Sequence, residues 1–178
     1  MQVITFSDEY KPSPNDVLCF MGGGMGNTDW HDIFLDTLKA QNFRHLVVIN
    51  PYNPNITSAF AQIQWEFEML NKYIDKAFIF SMYFDKYTDQ PISMYELGRA
   101  SVLSKPQYVT VGCESKETTV YTRYGFPCIV TVDPRAPKAE DIKIQCGLAK
   151  VDMISGDAKV HALRVASAYT DIRHQMGI

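Results

Sequence analysis

The chain has 178 residues, 46% of them hydrophobic and 21% charged, and carries a formal net charge of −3. That composition belongs to a globular protein with its own core and excludes a disordered tail; it also lacks the clustered Lys and Arg of a nucleic-acid-binding surface. Cys19, Cys113, Cys128 and Cys146 are widely spaced, with no CxxC pair and no His at ligand spacing, which argues against a metal site and for free thiols in a reducing compartment. No apolar run approaches the ~20 residues of a membrane span, and no basic-then-apolar leader opens the chain. The expectation is a cytoplasmic protein with neither a membrane nor a nucleic-acid polymer as partner.

Gln2 to Phe6 is a short apolar run, ended by Lys11-Pro12-Ser13-Pro14, whose prolines cannot donate to a strand ladder. Val17 to Met21 reads as a strand that runs into Gly22-Gly23-Gly24-Met25-Gly26. Asn27, Thr28 or Asp29 then caps a helix from Trp30 to Ala40. Leu46 to Ile49, apolar on both faces, suits the middle of a parallel sheet and is followed by the loop Asn50-Pro51-Tyr52-Asn53-Pro54-Asn55. Ala59 to Asn71 has helical spacing, with Ile63, Phe67 and Leu70 on one face. Ala77 to Met82 is a third central strand, and Ile92 to Ser104 a helix with Ser93 and Glu96 at capping-box spacing. Tyr108 to Gly112 and Ile129 to Asp133 complete the strands. Gly156 to Gly177 is one long helical pattern, with Val160, Leu163, Ala166 and Tyr169 on a face. Alternating strands and helices predict a doubly wound α/β sheet, which binds ligands beyond the carboxyl ends of its strands. We divide the chain into an α/β domain over 1–134 and a C-terminal extension over 135–178, helical and packed on the domain or on a partner subunit.

Three segments could carry chemistry. The glycine-rich turn lets a ligand approach the backbone and aims free amides at it, or else is only a tight turn; it fits neither a Walker A loop nor a dinucleotide fingerprint. Glu66, in Gln62-Ile63-Gln64-Trp65-Glu66, sits at the edge of an apolar helix face, either aimed into a cleft or solvated. Asp85, Asp89 and Glu96 put three carboxylates within twelve positions. Glycoside cleavage uses two carboxyl groups, one at the anomeric carbon and one helping the leaving group depart. Glu96 fits the first role, or it closes a capping box on Ser93. The scattered His31, His45, His161 and His174 make no triad with a Ser or Cys.

Taken in order, these motifs resemble the nucleoside 2-deoxyribosyltransferase family, in its branch of small phage and bacterial proteins. The matching features are Cys19-Phe20-Met21-Gly22-Gly23-Gly24 with Trp30, Asn50-Pro51, Gln62 with Trp65-Glu66, the strand Asp75 through Phe80, Pro91-Ile92-Ser93-Met94-Tyr95-Glu96-Leu97-Gly98, Lys105, and Val109-Thr110-Val111-Gly112. The resemblance covers roughly residues 15–130. It implies a flavodoxin-like, five-stranded parallel sheet and covalent catalysis by Glu96 at C1′ of a nucleoside or nucleotide. Glu66 would assist the base, and an acid before the nucleophile, Asp89 or Asp85, would orient the sugar. It implies substrate contacts from Gly22, Gly23, Gly24, Trp30, Asn50, Trp65 and Ser93, no metal or organic cofactor, and a homo-oligomer, dimer or higher. A phage-encoded member would work in the host cytoplasm. Where the family has Ala-Gly-Ser at the first turn this chain has Gly-Gly-Gly, and Trp30 is followed by His31 rather than Gln. The loss of the Ser hydroxyl keeps open a second reading, a binding protein for a nucleotide or ribosylated signal that performs no turnover.

Overall fold

The computed structural model describes every residue except 7, 25, 27–28, 53–57, 74–75, 106, 114–115 and 124, and describes the backbone alone at 59, 107–113 and 116–123. The expected helix caps Asn27 and Thr28, and Asp75 ahead of the third central strand, lie outside the described residues. In chain order the elements are β1 (Gln2–Ile4), β2 (Val17–Gly23), α1 (Trp30–Ala40), β3 (Leu46–Ile49), α2 (Ala59–Tyr73), β4 (Phe78–Phe84), α3 (Pro91–Leu103), β5 (Gln107–Cys113), β6 (Lys116–Arg123), β7 (Cys128–Val132), α4 (Ala139–Ala149), β8 (Asp152–Ser155) and α5 (Ala158–Gln175).

Six strands form one sheet in the order β1-β3-β2-β4-β7-β8, and every neighbouring pair is parallel. From β3 to β8 this is the strand order of a flavodoxin-like sheet, with β1 added beyond β3. The sheet thus has six strands and not five. Tyr108 to Gly112 is a strand, as expected, but β5 pairs antiparallel with β6 as a separate hairpin, and β7 takes the place beside β4.

Alternation along the strands feeds two cores. Leu18 and Phe20 of β2, Val47 and Ile49 of β3, and Phe78, Phe80 and Met82 of β4 face one layer; Val17, Cys19, Met21, Leu46, Val48 and Ile79 face the other. Trp65, Leu70 and Tyr73 of α2, Leu97 and Ala100 of α3, and Ile142 of α4 join the first core, while Phe34 and Leu38 of α1 and Ala162, Val165 and Tyr169 of α5 join the second. Apolar on both faces, the central strands are sealed at 0–2% exposure over Val17 to Met21 and Leu46 to Ile49, as parallel strands between helical layers must be.

Three local expectations change. On α2 the buried stripe runs through Trp65, Leu70 and Tyr73, leaving Ile63 and Phe67 47% and 54% exposed. The helix carries two apolar stripes, and the sheet takes the one with the larger rings. On α5 the packed residues are His161, Ala162, Val165, Ala166, Tyr169 and Ile172, and Leu163 faces outward. Finally, α3 starts at Pro91 with Gln90 as its N-cap and no side-chain capping bond. Proline suits the first helical position because its fixed φ and missing N–H cost nothing there. Ser93 is therefore already helical, and Glu96 closes no capping box. Among the described residues no helix is long and apolar enough to cross a membrane.

Candidate active site

The chain leaves β2 for β3 on one side and leaves β4 for β7 on the other, so a crevice opens between the carboxyl ends of β2 and β4. There Gly22 pairs with Met82 and Gly23 with Tyr83. A cleft of about 350 Å³ occupies the crevice, floored by Gly22, Gly23 and Gly24 and walled by α2 and α3, a size within the range of small-molecule sites.

The glycines are dictated by close approach. Gly23 has φ 151°, and a Cβ there would lie 2.6 Å from the Tyr83 carbonyl oxygen. A Cβ on Gly24 would lie 2.3 Å from Thr88 Oγ1 and 2.6 Å from Asp85 Oδ2. The loop from β4 to α3 thus closes directly onto the turn. Asp85, 3% exposed, gathers that loop: it accepts from the backbone amides of Tyr87 (2.6 Å) and Thr88 (3.0 Å), from Thr88 Oγ1 (3.0 Å) and from Gln90 Nε2 (3.2 Å). The Thr88 hydroxyl, which donates to Asp85 and accepts from Gln90, lies directly against the turn.

Glu66 of α2 and Glu96 of α3 meet across the cleft and are hydrogen-bonded to each other. Glu66 is 6% exposed and also accepts from Gln62 Nε2 at 2.9 Å, and Gln62 in turn donates to the Pro51 carbonyl at 3.4 Å. Burial pushes both acids up, and for Glu96 the neighbouring Glu66 charge adds to it, reaching about 8; Arg99 opposes the rise only partly. The physical cause is simple: ionising both carboxyls at contact in a partly dry cleft is costly, so one proton is kept between them up to about pH 8. The proton belongs to the pair, and both carboxyls lie above their ordinary range because of it.

The profile of a family described as nucleoside 2-deoxyribosyltransferase-like matches residues 16–116, more than half the chain. The chain belongs to this family. The matched span contains the glycine turn, Glu66, the β4–α3 loop and Glu96. A search of curated proteins finds no match.

Of the residues that likeness to the deoxyribosyltransferases marks, the structure brings Gly22, Gly23, Gly24, Glu66, Ser93 and Glu96 together around the cleft. Asp89 stands at its rim, 60% exposed, with its carboxylate 3.2 Å from Lys138 Nζ. Trp30 does not line the cleft; it is 2% exposed and its Nε1 donates to the Gly24 carbonyl, bracing the turn from behind. Asn50 Oδ1 accepts from the Tyr52 amide, and Trp65 packs against Phe6 at 6.0 Å in the core. Thr88 and Gln90, which line the cleft, carried no sequence signal beyond lying in a polar loop. A larger groove of about 1030 Å³ opens at the opposite ends of the strands, bordered by Lys76, Lys105 and Lys150. Its acids are Asp171 and Asp152, the latter held by Arg164, so it offers no carboxylate pair.

Proposed function

We propose that the protein cleaves or transfers at the N-glycosidic bond of a (2′-deoxy)nucleoside, with Glu96 as nucleophile and Glu66 as the acid-base partner. The observation that carries this reading is the hydrogen-bonded pair of buried Glu66 and half-buried Glu96, opening into a cleft at the switch point of the sheet. The shared proton settles on Glu66 as substrate enters. A Glu96 carboxylate oxygen then attacks C1′, the C1′–N bond breaks with its electron pair passing to the base, and Glu66 gives its proton to that base. An acceptor base or water next attacks C1′ and releases the Glu96 ester, returning its own proton to the pair. Protein side chains suffice for each step, so the reaction draws on no cofactor.

The cleft favours an uncharged nucleoside over its monophosphate. Its charged lining residues are Glu66, Asp89 and Glu96, all acidic, and the neighbouring segments 25–28 and 53–57 contain no Lys, Arg or His. Among the described lining residues a phosphate would meet carboxylates and no cation, the nearby Lys138 being paired with Asp89 at the rim. The direct test is incubation with deoxynucleosides, with and without a second base, following free base by chromatography and the mass of Glu96 for a sugar adduct. Base release by the wild type that disappears in Glu96→Ala supports the reading. Tight nucleoside binding without release over hours would refute it in favour of a binding protein.

We propose as well that a second copy of the chain covers the mouth of the cleft. Phe60, Ile63, Phe67, Ile92 and Tyr95 expose apolar surface on α2 and α3, with Tyr95 75% exposed, and Ile63 and Ile92 also line the cleft. Such a patch beside a site is ordinarily buried by a partner. Light scattering should give a dimer or larger species that Tyr95→Glu dissociates; a monomeric wild type would refute it.

A further inference from the structure

The two ends of the sheet differ in charge. At the carboxyl end the described charged residues lining the cleft are all acidic. At the amino end the groove of about 1030 Å³ sets Lys76, Lys105, Lys150 and Arg164 against Asp152 and Asp171, an excess of positive charge in a chain whose formal net charge is −3. Arg164 is already engaged, by Asp152 and by the Val130 carbonyl. The three lysines are exposed, and among the described residues none of them has an ion pair or a side-chain hydrogen bond. They come from three separate connections: Lys76 leads into β4, Lys105 follows α3, and Lys150 leads into β8. Lys150 is held at φ 57°, a left-handed conformation that glycine adopts more readily. Since β7 lies between β4 and β8, Lys76 and Lys150 enter the sheet about 10 Å apart, two strand spacings of ~4.8 Å. Phe126 and Pro127 lead into β7 between them and, with Ile172 of α5, give the groove an apolar side.

We propose that this groove binds a nucleoside di- or triphosphate, at a site separate from the cleft. Ammonium groups on three connections match a chain of phosphates better than a single one, each acting as a point charge on a flexible stem. The apolar side suits the ring system that such a chain carries, since a bare polyphosphate would leave that surface in water. The volume admits the ligand, small-molecule sites running to roughly 1,000 Å³. Charge also sorts ligands between the two ends. The acidic cleft repels the phosphates that the groove attracts, so a nucleoside and its phosphorylated form occupy different places on one molecule. α3 joins those places: it carries Glu96 and ends at Leu103, next to Ser104 and Lys105 of the groove. A bound nucleotide therefore rests against the far end of the helix that holds Glu96. The assignment stands on the groove alone, whether or not the cleft turns nucleosides over.

Isothermal titration of the full chain with ATP, at low salt and without magnesium, tests this. ATP should bind saturably with a Kd below about 1 mM, and AMP at least about tenfold more weakly for want of two phosphates. Lys76→Gln, Lys105→Gln and Lys150→Gln combined should weaken ATP by about tenfold or more, the product of three exposed charge contacts each worth a factor of about two to five. All three side chains are exposed, so the combined variant should melt with wild type; if it melts far below, the single variants replace it, each expected to lose about two- to fivefold. Tripolyphosphate should bind at least about tenfold more weakly than ATP, because it leaves the apolar side uncovered. No saturable ATP binding overturns the proposal, as does full affinity in the lysine variants. Tripolyphosphate as tight as ATP makes the groove a bare anion site and overturns the nucleotide assignment. ATP that a deoxynucleoside displaces, or that Glu66→Gln no longer binds, lies in the cleft and overturns it too. A protein that binds ATP through the lysines and releases base from no nucleoside defeats the proposed function and leaves this inference standing; an active protein with no ATP site defeats this inference alone.

Discussion

Glu96→Gln should abolish base release and yet stabilise the protein, by an amount that depends on pH. Burial and the Glu66 charge raise the Glu96 carboxyl from 4.5 to about 8. Between those values the folded protein holds a proton that the unfolded chain has released. Folding stability therefore falls as pH rises across this window, by about 1.4 kcal/mol per pH unit, and levels off above about 8. A window of about 3.5 pH units sets an upper bound near 5 kcal/mol. Glu96 is only partly shielded from solvent, so water screening reduces this to on the order of 2 kcal/mol. Glutamine keeps the shape and the hydrogen bond to Glu66 but cannot ionise. Thermal melts at pH 4.5 should nearly coincide for the two proteins, and at pH 8.5 Glu96→Gln should melt higher by roughly 4–8 °C. Titrating groups outside the pair, His161 included, are common to both and drop out of the difference. An offset of equal size at both pH values would refute the shared-proton pair.

Glu66→Gln should lower base release by about 10²–10³-fold, as loss of a general acid does, and lose least on a 7-methylated purine nucleoside, whose base leaves without needing a proton; an equal loss on both substrates in steady-state assays would remove Glu66 from that role. In the wild type, rate should fall as pH rises past about 8, where the pair surrenders its last proton, and a pH–rate profile reads this directly. Gly24→Ala puts a methyl 2.3 Å from Thr88 Oγ1 and should cost about 1–3 kcal/mol in urea melts, with KM raised more than kcat is lowered. His161, fully buried with Nδ1 3.0 Å from Thr131 Oγ1, is pushed down by burial from 6.5 to about 3. The unfolded chain takes up that proton first, so stability drops as pH falls through this range; the gap between wild type and His161→Leu should narrow from pH 7 to pH 4 in denaturant titrations.

The strands that sit mid-sheet were legible because they are almost wholly apolar, Ser81 being the one polar residue in Val17 to Met21, Leu46 to Ile49 and Phe78 to Met82, and so must be covered on both sides. The edge of the sheet was not. β8 is Asp-Met-Ile-Ser, half polar and only partly buried, and its place depends on β7 lying beside it. β6, with Thr118, Thr119 and Thr122 among charged residues, has too little apolar alternation to declare itself. Within the cleft, Glu66 and Glu96 stood out by residue type and order, but their contact is a property of two helices converging and no local spacing encodes it. The capping-box alternative for Glu96 failed on a single residue, Pro91, which starts the helix two positions before Ser93. Thr88 and Gln90 were invisible for a different reason: they reach the cleft because Asp85 gathers their loop and because Gly24 has no side chain to hold it off.

Every described residue lining the cleft precedes position 97, while β7, α4 and α5 lend Val130, Ile142, Ala162 and Val165 to the two cores. Stability lost to a change at the cleft can therefore be restored at positions that line no part of it. A lineage or a laboratory selection can vary the cleft and compensate from residues beyond 125, without the two competing for the same positions.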